Sequence, residues 1–231
     1  MRHRLIPAAL AAGASLALLA GTAMAATPTW TVVPSVNPSA TTLNAVSART
    51  ATDAWAVGQF PGAGEDAGSQ IFAERWNGTQ WQQVPTTNIV RQDERLLGVS
   101  ASGPDDAWAV GNTNSIGAAS HDTLAAHWNG TAWSIVASPA GLISADRISA
   151  ASATDIWAGQ APQQTIAGVP VPVSRTLHWN GTTWSVLPGP TGSDANTAVT
   201  GLSALPSGEA WAVGATFSAT GAAAFIAHHT P

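Results

Sequence analysis

The chain has 231 residues with no cysteine, no tyrosine and no lysine, and its formal net charge is −5 at pH 7. The lack of cysteine excludes disulfides and thiolate metal sites, so packing must supply the stability. Eight arginines face 13 acidic residues, and such a chain binds polyanions poorly. Nucleic acid and acidic membranes are therefore not expected as partners.

The first 25 residues are typical of an export signal. A basic start at 2–4 precedes an apolar stretch, and Ala-Met-Ala at 23–25 offers small residues for cleavage. An uncleaved membrane anchor is the alternative, because the apolar stretch could nearly span a bilayer. The Ala-x-Ala ending favours cleavage. We therefore expect residues 1–25 to be removed and residues 26–231 to be secreted as one domain, with no membrane association after cleavage.

All 11 tryptophans recur with a period of about 50 residues. Four lie in phrases such as "DAWAVG", three open phrases such as "HWNGTAW", and four close such phrases. A period of this length is typical of four-stranded propeller blades. The three classes are Trp55, Trp108, Trp157 and Trp211; then Trp76, Trp128 and Trp179; then Trp30, Trp81, Trp133 and Trp184.

Each repeat reads as four short strands, a to d. Strand a is "LNAVSA" in the first repeat, strand b contains "AWAVG", strand c leads into the first Trp of the second phrase, and strand d leaves from its second Trp. Short strands punctuated by Gly, Pro and Asn indicate an all-β protein, and the fixed period favours a β-propeller. A lone d-type strand at 29–34 would complete the last blade. We predict four four-stranded antiparallel blades closed by this N-terminal strand; half of a larger intermolecular ring is the alternative.

The "SAxSxxDAWAVG" and "HWNGTxWS" phrases resemble those of secreted bacterial β-propeller repeat proteins, loosely grouped with kelch and sialidase-type (Asp-box) propellers. The resemblance covers nearly the whole chain after residue 25. It implies a non-catalytic domain of unknown ligand. The Asp-box spacing itself, Asp-x-Gly-x-Thr-Trp, is not met in this sequence.

Asn-Gly recurs between the two tryptophans of the second phrase, as at Asn129 and Gly130. This pair predicts a two-residue hairpin loop with positive φ at both residues. Trp128 would then oppose Thr131, and the two indoles would lie diagonally on one face of the sheet. We expect the indoles to pack between neighbouring blades. The Asn-Gly-Thr triplets are also glycosylation acceptors, an alternative that depends on the host.

An acidic residue stands two positions before each strand b tryptophan: Asp53, Asp106, Asp155 and Glu209. We expect each to cap the turn between strands a and b, rather than to hold a cation. His127 and His178 occupy corresponding positions in different blades, where they should be well separated. Neither a metal site nor a cofactor is predicted.

A lectin is the first alternative function. Fucose-binding propellers carry a similar blade phrase in which Trp, Glu and Arg hold the sugar, and "AERWNGTQW" at 73–81 resembles it. The resemblance implies sugar-binding roles for Glu74, Arg75 and Trp76. Only one repeat keeps the charged pair, since the second has Ala126 and His127 there, which disfavours a repeated sugar site.

Loops of variable length predict where binding occurs. In antiparallel blades the b-to-c and d-to-a loops lie on one face of the disc, and rigid scaffolds commonly place recognition on such loops. Arg147 has an unusual strand a position, because other blades have alanine or glycine there. Solvated loop charges are the alternative interpretation. The candidate ligand-binding residues are Arg91, Asp93, Glu94, Arg147, Glu65 and Asp66.

Enzyme functions fit the sequence poorly. A sialidase needs a tyrosine nucleophile, and a galactose-oxidase-like copper site needs a Tyr-Cys cofactor, but both residue types are absent. A glycosidase-like hydrolase with two carboxylates is formally open and least favoured, so no catalytic residue is assigned. We predict a secreted, monomeric, non-catalytic β-propeller that binds an extracellular protein or glycan or acts as a scaffold.

Overall fold

A computed structural model describes residues 29–63, 68–89, 92–115, 122–139, 144–160, 164–166, 169–171, 175–188, 197–218 and 221–231. The chain divides into two compact units, Met1–Val32 and Val33–Pro231. In the first unit, residues 29–32 form no regular secondary structure, and Trp30 is exposed. The predicted export signal lies outside the described residues.

The second unit is built from antiparallel sheets in chain order, which we call blades 1 to 4. Blade 1 comprises β1 (Thr42–Thr50), β2 (Asp53–Pro61), β3 (Ser69–Trp76) and β4 (Trp81–Val84). Blade 2 comprises β5 (Gln92–Gly103), β6 (Asp106–Ser115), β7 (Asp122–Trp128) and β8 (Trp133–Val136).

Blade 3 comprises β9 (Ala145–Ser152), β10 (Asp155–Gln160), β13 (Thr176–Trp179) and β14 (Trp184–Leu187). Between β10 and β13 the chain forms a separate two-stranded ribbon, β11 (Gln164–Ile166) and β12 (Val169–Val171). Blade 4 has three strands, β15 (Thr197–Ala204), β16 (Ala210–Ser218) and β17 (Gly221–His229). The predicted all-β propeller of four antiparallel blades is confirmed.

The predicted closing strand is not formed. Residues 29–34 carry no strand, and blade 4 keeps three strands with β17 at its outer edge. Ser35, just after these residues, donates a hydrogen bond of 2.7 Å to Glu74 Oε2, which holds Ser35 on blade 1. Within the described part of the second unit, no extended interface joins blade 1 to blade 4.

The loop of the hairpin after strand c is shifted by one residue from its predicted position, which changes the pairing of the two strands by two residues. Trp128 pairs directly with Trp133, so the indoles oppose each other rather than lying diagonally. Within this hairpin only Gly130 has positive φ, at 93°. This is the pattern of a two-residue loop formed by Gly130 and Thr131. Asn129 Oδ1 lies outside that loop and accepts hydrogen bonds from the backbone N–H groups of Thr131 and Ala132, both at 3.0 Å.

Replacing Gly130 by alanine is expected to lower the free energy of unfolding by about 1–2 kcal/mol, because positive φ strains an L residue. A Cβ at this position would also lie 2.9 Å from Asp105 Cβ. Urea denaturation measures the change. Gly103→Ala is the matched control, because its added Cβ meets nothing nearer than 3.8 Å. Equal losses in the two variants would contradict the assignment of strain to the turn.

Tryptophans form the core between successive blades. Trp55 of blade 1 lies 5.1 Å, between ring centroids, from each of Trp128 and Trp133 of blade 2. Trp108 of blade 2 repeats the contact with Trp179 and Trp184 of blade 3, at 4.8 and 5.4 Å. The strand b indoles of blades 1 and 2 therefore pack against the paired indoles of the next blade, and such aromatic contacts add about 0.5–1.5 kcal/mol beyond their area term.

A repeated hydrogen bond also ties the strand a serines to the next blade. Ser47 Oγ accepts from Ala101 N at 3.3 Å, and Ser100 Oγ accepts from Ala150 N at 3.0 Å. Ser149 continues the series with Ala204 N at 2.9 Å. The serine repeat is thus a structural link between neighbouring innermost strands.

Candidate functional site

The predicted binding residues lie at or near the starts of two strands. Asp93 and Glu94 are on β5, and Arg147 is on β9. Glu65, Asp66 and Arg91 lie outside the described residues. The structure therefore places half of the predicted set.

Asp93 and Glu94 hold loop backbone rather than face solvent. Asp93 Oδ1 accepts a hydrogen bond of 2.7 Å from Ser69 N. Glu94 is fully buried, and both of its carboxylate oxygens lie 3.1 Å from Ile89 N. Burial raises the pKa of Glu94 to about 7, because a carboxylate loses hydration there. The two carboxylates therefore fix the backbone at Ser69 and at Ile89.

Arg147 reaches from blade 3 to blade 4. Its Nε donates to the carbonyl oxygen of Thr200 at 2.8 Å, and one terminal nitrogen lies 2.8 Å from Asp146 Oδ2. The Arg147 side chain is nevertheless 40% exposed. A guanidinium has five N–H donors in a rigid, planar arrangement. Because Thr200 and Asp146 hold some of these donors, the remaining N–H groups of Arg147 have a fixed orientation.

Asp146 differs from an ordinary surface carboxylate. Its Oδ1 is buried and has no hydrogen-bond partner among the described residues, while Oδ2 faces Arg147. Burial raises the pKa of Asp146, and the adjacent guanidinium lowers it by a smaller amount. We call Asp146, Arg147 and the Thr200 carbonyl the Arg147 site. Its accessible group is the oriented guanidinium of Arg147, which suits an anionic or polar ligand.

Sequence reasoning found Arg147 from its departure from the repeat, but it missed the Thr200 carbonyl. Every residue has a backbone carbonyl, so the sequence does not show which carbonyl of another blade will accept a hydrogen bond. Asp146 could be suspected from its position next to Arg147, yet its buried oxygen could not.

The three lectin-candidate residues do not converge. Glu74 is 1% exposed and accepts the hydrogen bond from Ser35. Arg75 Nε donates to Asp53 Oδ1 at 2.8 Å, while Trp76 Nε1 donates to the carbonyl of Ala51 at 3.0 Å. Successive strand side chains point to opposite faces, so Glu74 and Arg75 lie on different sides of blade 1.

The four repeated acids pair with basic residues of strand c in the same blade, instead of only capping a turn. Asp106 Oδ1 lies 2.7 Å from His127 Nε2, and Asp155 Oδ1 lies 2.9 Å from His178 Nε2. Burial raises the pKa of Asp106, but the hydrogen bonds from His127 and Ser102 outweigh it and leave that pKa lowered. Among the described residues, no three His, Cys, Asp or Glu residues group as metal ligands.

The described strands define a β-propeller with four blades. Known proteins were compared with the chain: no family model matches it, and no curated protein does either. Within the described ranges, no helix has the length and apolar character needed to cross a membrane.

Some solved structures are similar to the chain over part of their length. YCF48 bound to a D1 peptide has 16% identity and a TM-score of 0.48, over 81% of this chain and 58% of that one. A fucose-specific lectin from Aleuria aurantia has 12% identity and a TM-score of 0.41, over 78% of this chain and 58% of that one. The chain thus spans 58% of the length of each of these two structures.

Proposed function

We propose that this chain is a secreted, non-catalytic β-propeller that binds an extracellular protein or glycan through the Arg147 site and the loops beside it. The observation that carries the proposal is the exposed guanidinium of Arg147, which is fixed by Asp146 and by a carbonyl of the next blade. Secretion is supported by the export signal in the sequence.

A fixed guanidinium favours binding because little side-chain entropy remains to be lost when a ligand arrives. Arg147 pairs readily with carboxylates, and its charge-assisted hydrogen bonds are about twice as strong as neutral ones.

A glycan array and a panel of acidic peptides test the proposal with protein recovered from culture medium, whose intact mass should match a chain starting at Ala26. We expect Arg147→Ala to weaken binding at least about tenfold, the loss of one charged hydrogen-bonding group. Arg49→Ala is the matched control, because Arg49 also pairs with an aspartate and is 33% exposed. Equal binding by parent and Arg147→Ala would contradict this site.

The lectin alternative makes a different prediction in the same assay. Sugar binding abolished by Glu74→Ala but kept by Arg147→Ala would favour a sugar site on blade 1. The burial of Glu74 argues against that result.

A further inference from the structure

Successive blades pack face to face in the same way along the described propeller. At each end of it, one blade face has no blade packed against it. On one face of each blade lie the strand b tryptophan and the residue two positions after it. On the other face of blades 1 to 3 lie the paired tryptophans of strands c and d. The first face of one blade packs on the second face of the next, as Trp55 does on Trp128 and Trp133.

Blade 4 leaves its first face open. Trp211 is 43% exposed and Val213 is 42% exposed, whereas Trp108 and Val110 at the same positions of blade 2 are each 1% exposed. Ile226 pairs with Val213 across the sheet and is 75% exposed. These three side chains share one face because their positions alternate along paired strands. An apolar patch of this kind on a chain surface indicates an interaction site.

Blade 1 leaves the complementary face open. Val46 is 67% exposed, whereas Val99 at the same position of blade 2 is 8% exposed. Trp76 and Trp81 form the usual indole pair, with ring centroids 5.8 Å apart, but both remain partly exposed. A cavity of about 400 Å³ lies on this face, lined by residues that include Val46, Glu74 and Trp81.

Among the described residues, blade 4 also has no outer strand. A cavity of about 340 Å³ is lined by residues that include Trp157, Ala212 and His229. His229 lies 4.6 Å from Trp157, between ring centroids, so it occupies the position of the first paired tryptophan. In blade 2 the second paired tryptophan, Trp133, stands directly opposite that position. In blade 4 the cavity lies where this indole would be.

We propose that a second copy of this chain docks head to tail, with its blade 1 on blade 4 of the first copy. The docking continues the interface already present three times within the chain: Trp211 enters the place beside Trp76 and Trp81 that Trp55 takes beside Trp128 and Trp133. Ser203 of one copy is then aligned with Ala48 of the next, as Ser149 is with Ala204. Head-to-tail contacts of this kind give closed rings or open chains of copies.

The docked copy also supplies the missing strand. In the repeat, strand d immediately precedes strand a of the following blade, so residues 30–33 of the second copy reach the free edge of β17. The register of blade 2, where Ser134 faces His127, places Thr31 of one copy opposite His228 of the other. Edge strands readily accept such an added strand.

Disulfide trapping tests this register, since the chain has no cysteine of its own. In the full chain expressed with its own leader, Thr31→Cys combined with His228→Cys is expected to give a disulfide-linked dimer on a non-reducing gel. Thr31→Cys with Ala224→Cys is the matched control. Its cysteines would stand four residues out of register, about 13 Å along the strand, which is too far for a disulfide.

Three outcomes are informative. A linked dimer in the first variant only supports the proposal. A linked monomer would show that the segment closes its own chain, and the absence of any link would show that it closes none; both overturn the proposal and restore the monomer expected from the sequence.

Light scattering gives an independent readout that requires no cysteine. The parent should have the mass of two or more copies, and Trp211→Ser should raise the dissociation constant at least about tenfold, as loss of a central interface tryptophan does. The variant should still fold, because Trp211 is already exposed in a single copy. Val186→Ser, an exposed site on blade 3 at 38%, is the control and should leave the mass unchanged. A monomeric parent would overturn the proposal.

Discussion

Replacing Trp108 by alanine should lower the free energy of unfolding by about 3–5 kcal/mol, the range found when buried aromatic side chains are truncated. Trp108 is 1% exposed and contacts two indoles of blade 3 as well as His127 of its own blade, at 4.4 Å between ring centroids. Its removal leaves a cavity between blades that two rigid sheets cannot close. Urea denaturation followed by circular dichroism measures the loss.

Trp211→Ala is the matched control, made at the same repeat position and measured in dilute solution where copies are apart. Because Trp211 is half-exposed, its truncation should cost well under half of the Trp108 value. Similar losses at the two positions would show that burial between blades is not the source of the stability.

The second large effect is a fall in stability between about pH 4.5 and 7 that depends on Glu94. Burial raises the folded-state pKa of Glu94 to about 7 from the ordinary value of 4.5. The folded chain therefore binds this proton more tightly than the unfolded chain, and the stability it gives is complete below pH 4.5 and lost as the pH rises through 7. With about 1.4 kcal/mol for each pKa unit, the loss is on the order of 3 kcal/mol.

Glu94→Gln keeps a polar side chain of similar size without the titration. The difference in unfolding free energy between parent and variant should change across this pH range, as measured by urea denaturation at several pH values. Asp122→Asn is the control, because Asp122 is an exposed carboxylate on β7 of the same blade. Parallel pH profiles for the parent and Glu94→Gln would contradict the assignment.

Much of the fold could be predicted because the strands and turns of each repeat are specified by residues within that repeat. The spacing of Trp55, Trp108, Trp157 and Trp211 gives the number of blades, and the Gly and Asn residues between strands give the hairpins. The predicted position of the hairpin loop was wrong by one residue, and the predicted strand pairing was therefore wrong by two. Positive φ at glycine alone suffices for the loop, and the Asn129 side chain caps it from outside.

The candidate site could be predicted only in part. Arg147 could be identified because the other repeats have alanine or glycine at its position. Glu94 also carries a charge near a loop, but its burial depends on how that loop folds back over it. Glu74 and Arg75 are neighbours in the sequence, yet strand geometry sends them to opposite faces of blade 1.

The sequence by itself determined four antiparallel blades and the pairing of tryptophans, because a local repeat fixes local strands and turns. Only the tertiary structure decided that Ser35 is held on blade 1, that Asp146 has a buried oxygen with no partner among the described residues, and that Trp211 is exposed while Trp55, Trp108 and Trp157 are buried. Those outcomes depend on which blade faces which, because similar repeats acquire different surroundings at the two ends of the described propeller.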